Sequence, residues 1–378
     1  MSTIVAKDNK NHFFELILSS SVSEEAWLKE TRTEALESFK ALDFPSSRNE
    51  EWKYTRITPL LKKDLKKGEY AHVQTSNYQI DDLDAVTIPV VNGIINLKEL
   101  TLPIGIELLD IHTANKKYSS YIEQYFSKLA DNKNIFTALN TVSATPYIIK
   151  TDNKAIIEKP IHFVFVSKGD EVFVQPRFLI IVGKLSEFNF ITSFHSDCKS
   201  AFVNSVIEVV TEENSKVEWT KIQSENSESI HVSSEEIYMS ANSKFTLHTY
   251  TFNGAMVRNN VNVAIDAANC EANLNGLYLL DGKQHVDNHT KIAHMKAHSN
   301  SNELYKGIMN DASTAVFNGK VHVYQDAQKT NAFQSNKNIL LSDNATINTK
   351  PELEIYADDV KCSHGSTTGQ FDEDAVFY

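Results

Sequence analysis

A small polar turn recurs along the second half of this chain, and its spacing restricts the fold more than any other feature. Such turns, each followed by an alternating strand, occur at Ser186-Glu-Phe, Asn214-Ser215-Lys-Val, Asn242-Ser243-Lys-Phe, Asn269-Cys270-Glu-Ala, Ala312-Ser313-Thr-Ala and Asn344-Ala345-Thr-Ile. Measured on Ser186, Ser215, Ser243, Cys270, Ser313 and Ala345, the successive offsets are 29, 28, 27, 43 and 32. Apart from the 43, these fit one coil of a solenoid. Short segments rich in Val, Ile, Phe, Tyr and Thr lie at residues 162–166, 178–182, 206–210, 217–220 and 245–250 and read as strands. No helix-length apolar pattern separates them, which excludes a βαβ sheet. A coil of this length buries its apolar face only against its neighbours, so the coils must stack. Residues from about 145 to 360 therefore read as a β-helix. A β-sandwich is the alternative, but its turns would come every 8–12 residues or so. The chain has only 12 glycines, so Asn, Asp and Ser must form many of the turns.

The first 60 or so residues read as helical. Ser21-Val-Ser-Glu24 fits a capping box, and Trp27, Leu28, Ala35, Leu36 and Phe39 follow at helical spacing. Phe44-Pro45 stops that helix. Residues 48–55 look like a capped turn, residues 86–91 and 104–111 like strands, and residues 117–130 like an amphipathic helix. The expected organisation is a helical region at 1–70, a mixed α/β connection at 71–145, a β-helix core at 146–362 and the start of a C-terminal region at 363–378.

Lys and Arg number 37 against 49 Asp and Glu, a formal charge of −12. That balance argues against a nucleic-acid partner, which needs clustered basic residues. The N-terminus lacks a secretory h-region, and no window approaches the ~20 apolar residues that span a bilayer. No membrane role is expected, and the location expected is cytoplasmic. Three widely spaced cysteines, Cys198, Cys270 and Cys362, make neither a disulfide framework nor a self-contained metal site. Cys198 reads as lying in a polar turn and Cys270 at a coil turn, both incidental.

Motifs for familiar catalysis are missing. There is no phosphate-cradling loop, nucleophile elbow, zinc-protease helix motif or dinucleotide fingerprint. Two constellations remain. His285-Val-Asp287-Asn-His289 would project its three polar side chains from one strand face, as a metal site needs. The simpler reading is a polar ladder on the outer wall, facing a partner or solvent. The second is Asp358-Asp359-Val360-Lys361-Cys362-Ser363-His364-Gly365. On a strand, Cys362 and His364 point the same way, and an imidazole beside a thiol favours the thiolate that binds soft metals. A buried structural cysteine beside a satisfied histidine fits the spacing equally well. Clusters usually take four thiolates, some replaced by histidine, so a chain with these three cysteines cannot hold one alone.

The run Gln334-Ser-Asn-Lys-Asn-Ile-Leu-Leu341, then residues 350–365 ending Lys-Cys-Ser-His-Gly, then Gly369-Gln370, closely resembles the SufD family. Glu50-Glu-Trp-Lys-Tyr-Thr55, His285-x-Asp-x-x-Thr290 with His294, and Tyr305-Lys-Gly307 extend the resemblance over nearly the whole chain. The sister subunit SufB carries His-Glu-Ala where this chain has His364-Gly365-Ser366, and a cysteine near Lys337-Asn338. Both features are missing here. The resemblance implies a mainly β fold, a right-handed parallel β-helix with helical regions at each end. It implies a scaffold rather than an enzyme, in a complex with SufB and two copies of the ATPase SufC. Nascent iron–sulfur clusters would assemble at the SufB–SufD interface. By motif match, His364 is the interface histidine and Cys362 its neighbouring cysteine. Flavin is associated with the whole complex, but nothing in this sequence marks a flavin site. The family continues past the equivalent of Tyr378 into a helical segment that docks SufC. A chain stopping at Tyr378 is thus expected to be truncated or to bind SufC differently.

Two rival functions frame this expectation. A β-helix carbohydrate-processing enzyme would need convergent carboxylates. Only Asp281, Asp287 and Asp358-Asp359 are candidates, and they fall in different coils. A homodimeric interaction protein would pair an exposed edge and leave Cys362 merely buried.

Overall fold

The computed structural model describes residues 10–17 and 26–370. They form a mainly β parallel solenoid of about eight turns, with helices mostly near the N-terminus. In its distal half the coils build two walls. The first runs through Lys216–Ser224, Lys244–Asn253, Glu271–Leu280, Asn300–Met309, Asn331–Leu340 and Lys361–Gln370. The second runs through Ile230–Met239, Met256–Ile265, His285–His294, Thr314–Val323 and Thr346–Ile355. Within each wall every strand lies parallel to the next, and from Glu271 onward the first wall holds one unbroken register. Strand structure continues to Gln370, so residues 363–370 belong to the solenoid rather than to a region starting after 362. At the other end Val86–Val91 joins Ile161–Val174 in parallel, and Ile106–Asp110 closes the stack antiparallel to Thr145–Thr151.

The turn period has a simple physical origin. Lys154, Leu185, Asn214, Asn242, Asn269, His298 and Lys329 all hold positive φ, near +60°. They stack at one corner, and several donate their backbone N–H to the corner of the next coil, as Asn214 does to Ala241 at 3.0 Å. Asparagine tolerates this left-handed conformation better than most residues. From Leu185 onward, each is followed by a small buried residue whose side chain bonds back to the chain. Ser215 Oγ reaches Glu212 O at 2.7 Å, Ser243 Oγ reaches Ser240 O at 2.6 Å, and Thr330 Oγ1 reaches Ala327 O at 2.9 Å. Cys270 fills the same slot, its Sγ 3.5 Å from Ala267 O. Ser313 and Ala345 occupy the opposite corner, before Thr314–Val323 and Thr346–Ile355. The irregular offset of 43 is therefore a jump between corners that skips Ser299, and Thr330, the next member of the first column, falls inside the offset of 32.

Helices cover the outer face of the early coils. Ala26–Ala41 forms where the apolar spacing predicts, burying Leu28, Ala35 and Phe39. The capping box at Ser21–Glu24 lies outside the described residues. The helix expected at 117–130 starts earlier, as Ile111–Tyr125, because Asp110 caps it by accepting from the His112 and Thr113 N–H groups at 3.0 and 2.9 Å. A further helix, Ile135–Ser143, is buried at every position, and with nine residues it is shorter than the stretch over which helical periodicity is usually read. These helices pack Ile111, Ile122 and Phe126 on Leu179, Ile181 and Val210, and Phe136 and Leu139 near Phe173 and Phe202. No helix among the described residues is long and apolar enough to cross a membrane.

Candidate functional site

Cys362 and His364 lie on the last strand, Lys361–Gln370, which pairs only with Asn331–Leu340 among the described residues. The register sets Cys362 beside Ala332, His364 beside Gln334, Ser366 beside Asn336 and Thr368 beside Asn338. Ala332, Gln334, Asn336 and Asn338 are all buried and alternate with half-exposed or exposed residues, so this stripe faces the interior. Cys362 and His364 thus share the inward face at the open end of the stack.

Their surroundings differ. Cys362 is half-buried against Val321, Val323, Ala327, Ala332 and Ala357. That apolar contact pushes its thiol above the usual range, which disfavours the thiolate. His364 is exposed and free of such packing. The other thiols are remote from this edge. Cys270 is buried at its corner, and Cys198 lies within the strand Glu187–Thr211 opposite Gly169, rather than in a turn. Burial pushes the Cys198 thiol up to about 11.

Beneath His364 lies a buried amide and hydroxyl network. Gln334 Nε2 donates to Glu303 Oε2 at 2.7 Å. Asn336 Nδ2 donates to Tyr278 Oη at 3.1 Å, while Tyr278 Oη donates to Asn338 Oδ1 at 2.6 Å. Asn338 Nδ2 returns to Asn336 Oδ1 at 2.6 Å. Burial raises the Glu303 carboxyl to about 7. The motif residues Tyr305, Gln334, Asn336 and Asn338 therefore build the floor under the edge strand. Glu303 and Tyr278 complete it and were not singled out from sequence. Their signal is an inward carboxylate where the two preceding coils place Leu247 and Leu274, and an inward tyrosine between Thr251 and Gly307 of the adjacent coils. Farther in, Lys221 and Glu235 form an ion pair across the walls, joined by Ser233 at 2.8 Å and Asn259 at 2.9 Å from the ammonium. Nothing in the local pattern marked that pair, because its members sit on different walls.

The ladder His285, Asp287 and His289 lies elsewhere, on the outer face of the second wall. It packs against the chain's own segment 50–55. Asp287 is paired with Arg258 at 2.6 Å and His289 at 2.9 Å, and it accepts from Thr55 Oγ1. His285 Nε2 lies 2.8 Å from Thr55 Oγ1, and His289 Nδ1 lies 3.1 Å from Glu51. The Arg258 guanidinium stacks 3.9 Å from the Trp52 ring centroid. Burial alone would raise the Asp287 carboxyl, yet Arg258 and His289 hold it well below the usual range. Asp287 is thus committed to fastening the N-terminal segment. Among the described residues, no group of three or more His, Cys, Asp and Glu is arranged to hold a metal. The carboxylates do not converge either. Asp359 pairs with Lys329 at one corner, while Asp281 precedes Gly282 at the opposite one, where Asp311 receives the Gly282 N–H at 3.0 Å.

The chain is similar in sequence to known families and proteins. The family model for the SUF system FeS cluster assembly SufBD core domain matches residues 165–378, and that for the SufBD protein N-terminal region matches residues 13–163. An iron–sulfur cluster assembly SufBD family protein of Synechocystis is 29% identical over 377 residues, covering 95% of this chain and 83% of that protein. The iron–sulfur cluster assembly protein SufD of Bacillus subtilis is 24% identical over 380 residues, covering 95% and 86%. That of Escherichia coli is 36% identical over 165 residues, covering 44% and 39%.

Proposed function

Because this chain belongs to the SufBD family of iron–sulfur cluster assembly proteins, we propose that it acts as a non-enzymatic scaffold subunit of the SUF machine. In this reading it works in the cytoplasm, and its strand Lys361–Gln370 meets SufB. The SufC ATPase supplies the motion, and nascent clusters form across the shared edge. SufB provides most of the thiolates. His364 provides a ligand to the iron or cluster being built, and Cys362 a weaker second one.

The observation that carries this reading is the edge itself. It is ten residues long, no residue in it is fully buried, and His364 stands on its inward stripe above a floor of buried amides. A long exposed edge strand is a template for pairing with another chain. Neutral imidazole suits iron, and the chain's other cysteines are too far from the edge to complete a four-ligand set. The cargo is therefore shared.

Co-expression with SufB and SufC, followed by purification and iron and sulfide analysis, tests this. His364→Ala is expected to leave the complex intact and depress both iron and sulfide. Unchanged cluster yield would remove His364 from the site, and failure to co-purify would remove the scaffold reading. The same edge also favours a second reading, a two-fold pair of copies joined through Lys361–Gln370. Gel filtration of the chain alone, set against co-purification with SufB, separates the two.

A further inference from the structure

Glu303, Gln334 and His364 occupy one register column on three successive strands of the first wall. Neighbouring strands lie about 4.8 Å apart, so each inward side chain stands within reach of the next. The middle member is tightly fixed. Gln334 is 3% exposed, and its Nε2 donates to Glu303 Oε2 at 2.7 Å. The opposite wall is cut away to admit it: a Cβ at Gly319 would stand 2.3 Å from Gln334 Nε2. With Nε2 committed to Glu303, the other half of the amide is the unusual part. Gln334 Oε1 is buried and has no hydrogen-bond partner. Buried polar atoms are nearly always paired, so an orphaned acceptor below an exposed histidine calls for a donor.

We propose that Gln334 is a positioning residue for His364, its Oε1 accepting one imidazole N–H so that the other ring nitrogen faces the open edge as a lone-pair donor. Glu303 sets the amide's direction, because a carboxylate takes the NH2 end and turns the oxygen toward the next strand. Metal-binding histidines usually give their second N–H to such an acceptor, which fixes the tautomer and aims the ring. The inference rests on reading His364 as the edge ligand, but its test reads the imidazole itself.

The full-length chain, labelled with 15N-histidine, is measured by NMR at a pH well above the imidazole range. His364→Ala assigns the His364 ring signals. A single dominant tautomer of His364 is expected in the unaltered chain. Gln334→Leu should return it to the mixture of an unrestrained imidazole, and the swap Glu303→Gln with Gln334→Glu, which restores an acceptor oxygen, should recover the single form. A free-imidazole mixture in the unaltered chain overturns the proposal, even if Gln334→Leu fails to fold. So does a tautomer that ignores Gln334→Leu while the other histidine signals stay in place. In the SufB–SufC complex, Gln334→Leu should lower iron retention by about tenfold or more, as lost partners of ligating histidines do. If His364→Ala leaves cluster yield intact, the proposed function fails while the tautomer experiment still decides the role of Gln334.

Discussion

Ser200 to Thr211 and Lys361 to Gln370 are both strand segments of one parallel stack. The first is buried at every position and the second at none. The difference lies in what covers them. The early strand is sandwiched between the interior and the helices, with Phe202 against Phe13 and Phe136, and Val210 beneath the Ile111–Tyr125 layer. Among the described residues, the late strand pairs on one edge only. The interior changes as well. Phe188, Phe190 and Trp219 stack ring on ring in the early coils, whereas Glu303, Gln334, Asn336 and Asn338 fill the late ones. One end of the solenoid is built for stability, and the other keeps polar groups near an exposed edge, where chemistry can use them.

The sharpest way to break this comparison is a charge in the covered end. Arg177 and Glu208 are fully buried and 2.6 Å apart, with Phe126 over the guanidinium. Glu208→Ala strands the Arg177 charge and should cost about 3–5 kcal/mol in urea unfolding. A loss under 1 kcal/mol would mean that water reaches the supposedly covered face.

A smaller effect is expected in the polar interior. Burial raises the Glu303 carboxyl from its ordinary 4.5 to about 7, so between those values the folded chain holds a proton that the unfolded chain has lost. Stability therefore falls as pH rises through that window, by a total on the order of 3 kcal/mol, and the loss is complete above the upper value. Glu303→Gln removes the ionisation. The stability difference between variant and parent should open across the window and then level off. A difference independent of pH would show that Glu303 keeps an ordinary carboxyl.

Next comes a packing test. A Cβ at Gly276 would stand 2.2 Å from the Tyr305 ring, so Gly276→Ala should cost about 1–3 kcal/mol. At the exposed end the effects nearly vanish. Lys329→Ala breaks a surface pair with Asp359 and should move stability by about 0–1 kcal/mol, and His364→Ala by no more than about 0.5. A large loss from either would sharpen the comparison by showing that the edge also supports the fold.

The coil was legible because its strands alternate and its corners need turn residues. The apparent irregularity at 43 arose because two corners use the same small polar residues, and sequence offsets do not say which corner a turn occupies. The helix Ile135–Ser143 stayed hidden because nine residues give too short a window for its spacing to stand out. At the edge, spacing put Cys362 and His364 on one face but could not rank them. The ranking comes from Val321, Val323 and Ala357, contributed by other parts of the chain. The ladder at Asp287 was legible as a face, but not as one covered by Thr55 and Trp52 from more than two hundred residues away.

The column of left-handed corners has a consequence for how such a chain can change in evolution. Most corners hand their N–H to the next coil, so the stack grows in whole coils. Adding a coil would carry His364 along the axis by about one strand spacing and leave its direction unchanged. Adding one residue inside a strand would instead turn His364 from the inner stripe to the outer. The position of the edge histidine is therefore counted in coils, and its height can be reset only in discrete steps.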